Sequence, residues 1–320
     1  MGRRKGSWVA PSGVHVAFAT PRKLPKPRDL EGRVVVLDIA FASESGGRRN
    51  DFESNTLRFI DELGDRLVGW IDHHDSAHHA RFLGEPRFVL STKAEHGACP
   101  EMLDPTLVAR LGPADTIVCH TDFDGLASAA KWLLGGVEPY PGCDDDARAI
   151  DTRRGTPSGT GALFDRAIRA RPRDEDVLRA VLDLLESRMT KDAWQLIEEA
   201  AAEIAPLEDE AGRLSHAYEI GGPDFLLVDL DRAGRRGPYD KTTLLLLGQA
   251  QVRMACVVDG DTATFAAAYD SGVDFLARFG LSGGMPTMVS IHRAHLADAL
   301  ASLDVAPELV SRYRLPTTTS

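Results

Sequence analysis

Three short apolar runs in the first half of the chain each end at acidic residues or histidines. The runs are Val34 to Leu37, Leu67 to Ile71 and Thr116 to Cys119, and none of them alternates apolar with polar residues. Such uninterrupted runs are typical of strands that are buried on both faces of a parallel sheet. The pattern therefore predicts three parallel strands.

Segments with the pattern of helices follow the first and third of these runs. Residues Glu53 to Leu63 carry apolar side chains at three-residue spacing, and a run of small residues from Leu126 to Leu134 follows the third strand. Strands that alternate with helices predict a parallel sheet with helices on both faces, so we assign the first half to the α/β class.

The second half predicts a helical segment and then a smaller mixed α/β domain. Val177 to Ala202 has apolar residues at three- and four-residue spacing, and from about Ser215 strands and helices resume. A chain of 320 residues is long enough for two cores. We predict four segments: an extended N-terminal arm at 1–32, a metal-binding domain at 33–190, a helical linker at 191–214 and a substrate-binding domain at 215–320.

The composition argues against several classes of function. The net charge of −11 argues against a protein that tracks long nucleic acid, which needs a basic footprint. The four cysteines lack C-x-x-C spacing, which argues against a thiolate zinc site and a disulfide framework and favours a reducing cytoplasm. No apolar run is long enough to span a bilayer, so no membrane partner is expected.

A basic, proline-rich stretch lies near the N-terminus. Its cations are Arg22, Lys23, Lys26 and Arg28, which lie among three prolines. Two interpretations stay open: a solvated linker, which is favoured, and an arm that binds phosphate.

The segment Asp72-His73-His74-Asp75 follows the second strand directly. Imidazole nitrogens and carboxylate oxygens on one loop suit Mn²⁺, Fe²⁺, Zn²⁺ or Mg²⁺. Two alternatives compete: a surface cluster of histidines, and a zinc site that uses His74 and His78 at helical spacing.

The segment from His120 to Gly125 follows the third strand in the same way, with Asp122 and Asp124 at alternate positions. Both carboxylates can then face one cation. The alternative is an acidic turn in which Asp124 is the N-cap of the next helix. Asp38 ends the first strand and is equally ambiguous alone.

Together the three strand ends predict a two-metal centre. Parallel strands bring their carboxyl ends to one edge of the sheet, where ligands bind. So many carboxylates at one edge would repel one another unless divalent cations neutralised them. Two ions about 3.5–4 Å apart activate a water and stabilise in-line displacement at phosphorus, so the expected reaction is phosphoester hydrolysis.

These motifs resemble the DHH phosphoesterase superfamily. Asp72-His73-His74 matches the motif that gives the family its name, the segment from His120 to Ala129 is similar to its first motif, and Asp38 is similar to its second. The stretch Ala149 to Arg153, which contains Asp151, is similar to the fourth. The family places the His-x-Asp-x-Asp-Gly motif first, whereas here it follows the DHH segment, so the resemblance implies a circularly permuted order.

The C-terminal part is similar to the DHH-associated domain, whose glycine-rich turn holds the substrate. Gly283 and Gly284 match that turn, but Met285 and Pro286 stand where the family has a histidine. His292 and Arg293 are candidate replacements; the alternative is that they are surface residues at the start of a helix.

The resemblance implies a role for each candidate residue. The metal ligands are Asp38, His73, His120, Asp122, Asp124 and Asp151; Asp72 and His74 are catalytic; Arg153, Gly283, Gly284, His292 and Arg293 bind substrate. The cofactors are two divalent ions, with Mn²⁺ favoured over Mg²⁺. The expected substrate is a small nucleotide, a short oligonucleotide or a cyclic dinucleotide. Alternatives are a non-catalytic nucleotide-binding regulator and a single-strand exonuclease, and a homodimer is compatible with the sequence.

Overall fold

The computed structural model describes residues 8–42, 51–281 and 284–314. These residues divide into two compact units, with the boundary after Ile204. Each unit has its own sheet and its own buried apolar clusters.

The first unit contains a six-stranded sheet. Its strands are β1 (Trp8–Val9), β2 (His15–Ala19), β3 (Val34–Leu37), β4 (Leu67–Asp72), β5 (Phe88–Leu90) and β6 (Thr116–His120). The strand order is β1-β2-β6-β3-β4-β5; β1 is antiparallel to β2, and every other neighbouring pair is parallel. The three strands predicted from the apolar runs, β3, β4 and β6, are confirmed, and they are adjacent and parallel.

Helices follow these strands. The α-helices are α1 (Arg58–Leu63), α2 (Pro105–Leu111), α3 (Phe123–Leu133), α4 (Cys143–Thr152), α5 (Gly159–Ala170), α6 (Glu175–Glu186) and α7 (Trp194–Ala202). The helix predicted from Glu53 is a π-helical segment at Phe52–Leu57 that continues into α1. Helix α3 begins at Phe123, earlier than predicted, because the Asp122 side chain caps it by accepting from the Gly125 amide at 3.0 Å.

The sheet is covered on both faces. Alternate residues of each strand point to opposite faces, and Val35 and Leu37 belong to the core built with α3 to α7. Val34 and Val36 belong to a second core, built with the segment from Phe52 to Leu63. The predicted α/β class, with helices on both faces of a mostly parallel sheet, is confirmed.

The N-terminal segment differs from the extended arm predicted for residues 1–32. Strand β2 pairs with β6 along its whole length, and its residues Val16, Ala17 and Ala19 are buried. Backbone pairing therefore fixes this segment in the sheet. The basic, proline-rich stretch begins only after β2 ends.

The segment 191–214, which was predicted to be a helical linker, also differs from its prediction. Helix α7 packs into the first core through Ile197, Ala200 and Ala201, and the Trp194 ring stacks on Phe164 with 5.9 Å between ring centroids. The apolar spacing that suggested a helical spacer is the buried face of a helix of the first unit.

The second unit is a smaller mixed α/β structure, as predicted. Its strands are β7 (Glu219–Gly222), β8 (Phe225–Asp229), β9 (Met254–Asp259), β10 (Thr262–Ala267) and β11 (Met288–His292), in the order β11-β10-β9-β8-β7. Only β8 and β9 pair in parallel among these described strands. Its helices are α8 (Ile204–Ser215), α9 (Lys241–Gln249), α10 (Phe275–Phe279), α11 (Leu296–Ala301) and α12 (Pro307–Arg312).

The structure also describes the state of the cysteines and the lengths of the helices. All four cysteines are buried and free. Within the described ranges, no helix has the length and hydrophobicity needed to cross a membrane.

Candidate metal centre

His73 lies at the centre of a cluster formed where β3, β4 and β6 end. Its Nε2 atom is 3.3 Å from Asp38 Oδ1, 3.1 Å from Asp124 Oδ2 and 3.9 Å from Asp151 Oδ2. Its Nδ1 atom donates to the His96 carbonyl at 2.9 Å. That bond fixes the ring so that Nε2 faces the three carboxylates, as in metal-ligating histidines.

Asp38 has the most unusual environment of the cluster. It follows β3 in the left-handed backbone region, with φ of 57°, and is 1% exposed. His73 Nε2 lies 3.3 Å from Oδ1, but neither carboxylate oxygen accepts a hydrogen bond of good geometry among the described residues. A strained backbone and an unsatisfied buried carboxylate each cost about 1–3 kcal/mol. Both are explained if the carboxylate is placed for a cation.

Asp122 and Asp124 have different roles in the turn before α3. Asp122 is the helix N-cap, and its second oxygen lies 2.7 Å from His120 Nδ1. Asp124 is not the cap, which removes the alternative raised by the sequence. Its carboxylate accepts from the Cys99 amide at 2.9 Å and turns toward His73.

Among the residues that the structure describes, three overlapping groups could hold a metal ion. They are Asp38-His73-His74, Asp38-His120-Asp122 and His73-Asp124-Asp151, and within each group the ligand atoms lie within 4.8 Å of one another. The structure therefore brings together all six residues that the sequence suggested as ligands. His78, the second histidine of the zinc alternative, stacks on Phe52 with 3.8 Å between centroids and is in none of these groups.

The electrostatics of the cluster fit a cation. Burial, followed by repulsion from Asp124 and Asp122, raises the pKa of Asp38. Burial alone would lower the pKa values of the two histidines, but Asp124 raises the pKa of His73 to about 12, and Asp122 raises that of His120 to about 9. The buried acids thus bind protonated imidazoles, and divalent ions would supply the same neutralising charge.

Lys93 is a member of the cluster that sequence reasoning missed. It is 2% exposed, its Nζ lies 3.0 Å from His73 Nε2, and it contacts the Asp151 carboxylate. Burial opposes its charge, but Asp151 raises its pKa. Its position in the sequence could have indicated this role, because Lys93 lies just beyond the carboxyl end of β5, at the same sheet edge as the other ligands. That indication depends on predicting β5, and the sequence analysis does not predict this strand.

The two proposed catalytic residues form a pair beside this cluster. Asp72 is fully buried, and its Oδ1 lies 2.8 Å from His74 Nδ1. Burial alone would raise the pKa of Asp72, but the His74 imidazole lowers it. Asp72 therefore orients His74, whose side chain is 20% exposed.

The described residues among the substrate-binding candidates are members of none of these metal-ligand groups. Arg153 pairs with Asp165 at 3.2 Å. In the second unit, the His292 side chain accepts from the Ala294 amide at 3.1 Å, at the start of a 3-10 helix. Arg293 pairs with Asp229 at 2.7 Å. Gly284 has a φ of 115°, and Gly283 lies outside the described residues. Their roles in binding stay predictions.

Comparison with known proteins gives similarity to solved structures. No family model matches the chain, and no curated protein matches it. Among solved structures, the chain is similar to a pGpG-specific phosphodiesterase, PggH, from Vibrio cholerae. The identity is 11%, the TM-score is 0.38, and the match covers 88% of this chain and 99% of that one. The functional argument therefore rests on the geometry of the cluster.

Proposed function

We propose that this chain is a metal-dependent phosphoesterase, which hydrolyses a phosphodiester or phosphomonoester bond in a small nucleotide, a short oligonucleotide or a cyclic dinucleotide. One observation carries the proposal. Asp38 presents two buried oxygens that accept no hydrogen bond of good geometry among the described residues, and it belongs to two ligand groups that meet at its carboxylate. A carboxylate shared by two groups is what a pair of cations requires.

Asp38 groups with His120 and Asp122 and also with His73 and His74, and His73 in turn groups with Asp124 and Asp151. We therefore assign His120 and Asp122 to one ion and His73, Asp124 and Asp151 to the other, with Asp38 between them. Oxygen and imidazole ligands suit Mn²⁺, with Mg²⁺ as the second choice. Ions bound there would lower the pKa of a water and neutralise charge on the phosphate.

The protein's own groups supply orientation and proton transfer. The His96 carbonyl holds the His73 ring, and the Cys99 amide holds the Asp124 carboxylate. Asp72 holds His74 through Nδ1, which leaves Nε2 to exchange a proton with an oxygen of the bound phosphate.

The sheet order also supports the DHH resemblance in permuted form. Strand β6, which precedes the His120 segment, pairs with β3, and β3 pairs with β4. The three motif-bearing strand ends therefore lie side by side whatever their order along the chain, as circular permutation requires.

Hydrolysis of bis-p-nitrophenyl phosphate with added Mn²⁺ tests the proposal. We expect turnover in the wild type and a loss of at least about a hundredfold in Asp124→Ala, since that residue faces the cluster. Asp61→Asn, a change at an exposed acid on α1, is the control and should keep full activity. Absence of turnover, with metal-independent nucleotide binding retained, would reject the enzyme and favour a regulatory protein.

A further inference from the structure

The turn that follows β5 contacts the His73 ring from both sides. Lys93 and His96 are three residues apart on this turn. The His96 carbonyl accepts from His73 Nδ1 at 2.9 Å, and the Lys93 ammonium nitrogen, Nζ, lies 3.0 Å from Nε2 of the same ring. The turn is joined to the end of β4, because the Ser91 amide donates to the Asp72 carbonyl at 2.9 Å. Backbone hydrogen bonds therefore hold the Lys93 segment beside the metal centre.

The Lys93 ammonium lies against one of the two proposed ion sites. We name each site after its histidine: the His120 site consists of His120 and Asp122, and the His73 site consists of His73, Asp124 and Asp151, with Asp38 between them. Lys93 contacts the Asp151 carboxylate as well as His73. Within the described part of the chain, it makes no hydrogen bond or ion pair with His120 or Asp122. Its charge therefore acts mainly on the His73 site.

An ion at the His73 site needs the same atoms that Lys93 contacts. Both require Nε2 of His73 and a carboxylate oxygen of Asp151. Lys93 is 2% exposed, so little water screens its charge from an ion bound a few ångström away. Like charges at that separation repel strongly in a protein interior. An ion can therefore bind at the His73 site only if Lys93 gives up these contacts, and Lys93 imposes no such competition at the His120 site.

We propose that Lys93 weakens ion binding at the His73 site, so that the two sites fill in order and the His120 site fills first. Lys93 then determines the metal affinity of the centre without being a ligand. This inference rests on the proposed function, because it uses the two sites assigned there. It predicts that a protein without the Lys93 charge binds its second ion more tightly than the wild type. Removal of a lysine that only stabilised the fold would weaken ion binding or leave it unchanged.

The test measures Mn²⁺ binding to the full chain by calorimetry, with no substrate present. Electron paramagnetic resonance of the same samples distinguishes a single bound Mn²⁺ from a coupled pair. Lys93→Met removes the charge and keeps a side chain of similar length. Lys93→Gln removes the charge but can still donate to Asp151, and it serves if the methionine variant does not fold. Lys131→Met is the matched control, because Lys131 is also a buried lysine, at 5% exposure, but pairs with Asp144, outside both sites.

In the wild type we expect two binding steps whose dissociation constants differ by at least about tenfold, or only the stronger step. Lys93→Met and Lys93→Gln should tighten the weaker step by at least about tenfold and give the signal of the coupled pair at lower Mn²⁺. Lys131→Met should match the wild type. His120→Gln should remove the stronger step, which would assign that step to the His120 site. Loss of the weaker step in His120→Gln, or a weaker step that neither Lys93 variant tightens, would overturn the inference.

Ion binding and turnover, measured separately, distinguish this inference from the proposed function. A Lys93 variant that binds its second ion more tightly would support the inference even if bis-p-nitrophenyl phosphate is not hydrolysed, a result that would reject only the enzyme. Equal affinities for both ions in the wild type and the variants, together with hydrolysis, would overturn the inference and leave the proposed function in place. Absence of Mn²⁺ binding by the wild type and by both Lys93 variants would overturn both.

Discussion

Lys93 places a buried positive charge among the carboxylates that we assign to metal binding. Its ammonium group contacts Asp151 and lies 3.0 Å from His73 Nε2. Without metal, this charge offsets part of the repulsion among the acids. Lys93 is therefore a determinant of the stability of the metal-free protein as well as a neighbour of the ligands.

Lys93→Met should destabilise the metal-free protein by about 3–5 kcal/mol, because removing one partner of a buried ion pair leaves the other uncompensated. Mn²⁺ should then raise the melting temperature of the variant more than that of the wild type. Thermal unfolding in chelator and in Mn²⁺ measures both effects. Lys191→Met is the control: its pair with Asp183, at 2.8 Å, is partly exposed and contributes at most about 1 kcal/mol. An unchanged melting temperature for Lys93→Met would contradict this account.

His120 makes the stability of the metal-free protein depend on pH. It faces Asp122 at 2.7 Å and Asp38 at 3.8 Å. Burial opposes its charge, but Asp122 raises its pKa to about 9. A folded pKa above the unfolded value of about 6.5 gives stability that is complete below pH 6.5 and is lost as pH rises to 9.

The expected loss from this one residue is at most about 3 kcal/mol between pH 6.5 and pH 9. Urea unfolding in chelator at the two pH values measures the decline in the free energy of unfolding. His73, whose pKa is raised further, contributes to the dependence of the free energy of unfolding on pH in both the wild type and the His120 variant. His120→Gln should therefore show a shallower decline, and an identical slope in wild type and variant would rule out this role for His120.

At the scale of elements, the turn from β6 into α3 fixes the positions of Asp122 and Asp124. Gly125 lies in the first turn of α3, and a Cβ atom there would lie 2.7 Å from the His120 carbonyl oxygen. Only glycine lets the helix start this close to the strand end. The close approach is what brings Asp124 back toward His73.

Gly125→Ala should therefore destabilise the protein by about 1–3 kcal/mol and weaken Mn²⁺ binding, because α3 must move away from β6. Urea unfolding and calorimetry with Mn²⁺ measure the two effects. Gly159→Ala, at the first residue of α5, is the matched control: its Cβ would meet nothing within 4 Å, so stability should be unchanged or higher. Equal behaviour of the two variants would contradict the steric argument.

The strands that form the site were predictable, and their neighbours were not. β3, β4 and β6 are buried on both faces, so their sequences are uninterrupted apolar runs. β2 and β5 contain residues of intermediate exposure, and β1 is only two residues long. The sequences of these three strands therefore resemble those of loops.

The residues of the site were predictable where they directly follow a predicted strand. Ligands that directly follow a strand, such as Asp38 and His73, were evident because the end of an apolar run marks the sheet edge. Lys93 lies beyond a strand that left no clear pattern, so its place in the cluster depended on tertiary pairing. The alternative in which Asp124 is the N-cap stayed open in the sequence because spacing alone does not separate two acids at alternate positions; in the structure Asp122 is the cap.

At the scale of the whole molecule, the first unit contains every member of the proposed metal centre. Its residues lie on elements from β3 to α4, and its cores consist of residues that precede the boundary at Ile204. The second unit has separate buried clusters around Phe265 and Leu244. A unit with its own core is expected to fold alone.

A chain that ends at Ile204 should therefore fold cooperatively and bind Mn²⁺ about as tightly as the full chain. Calorimetry on both chains measures affinity, and a single thermal transition that Mn²⁺ raises shows that the fragment is folded. Asp124→Ala in the fragment is the control and should abolish the Mn²⁺-induced rise. Substrate affinity need not be retained, because Gly284, His292 and Arg293 are absent. A folded fragment that fails to bind Mn²⁺ would show that the centre needs residues of the second unit.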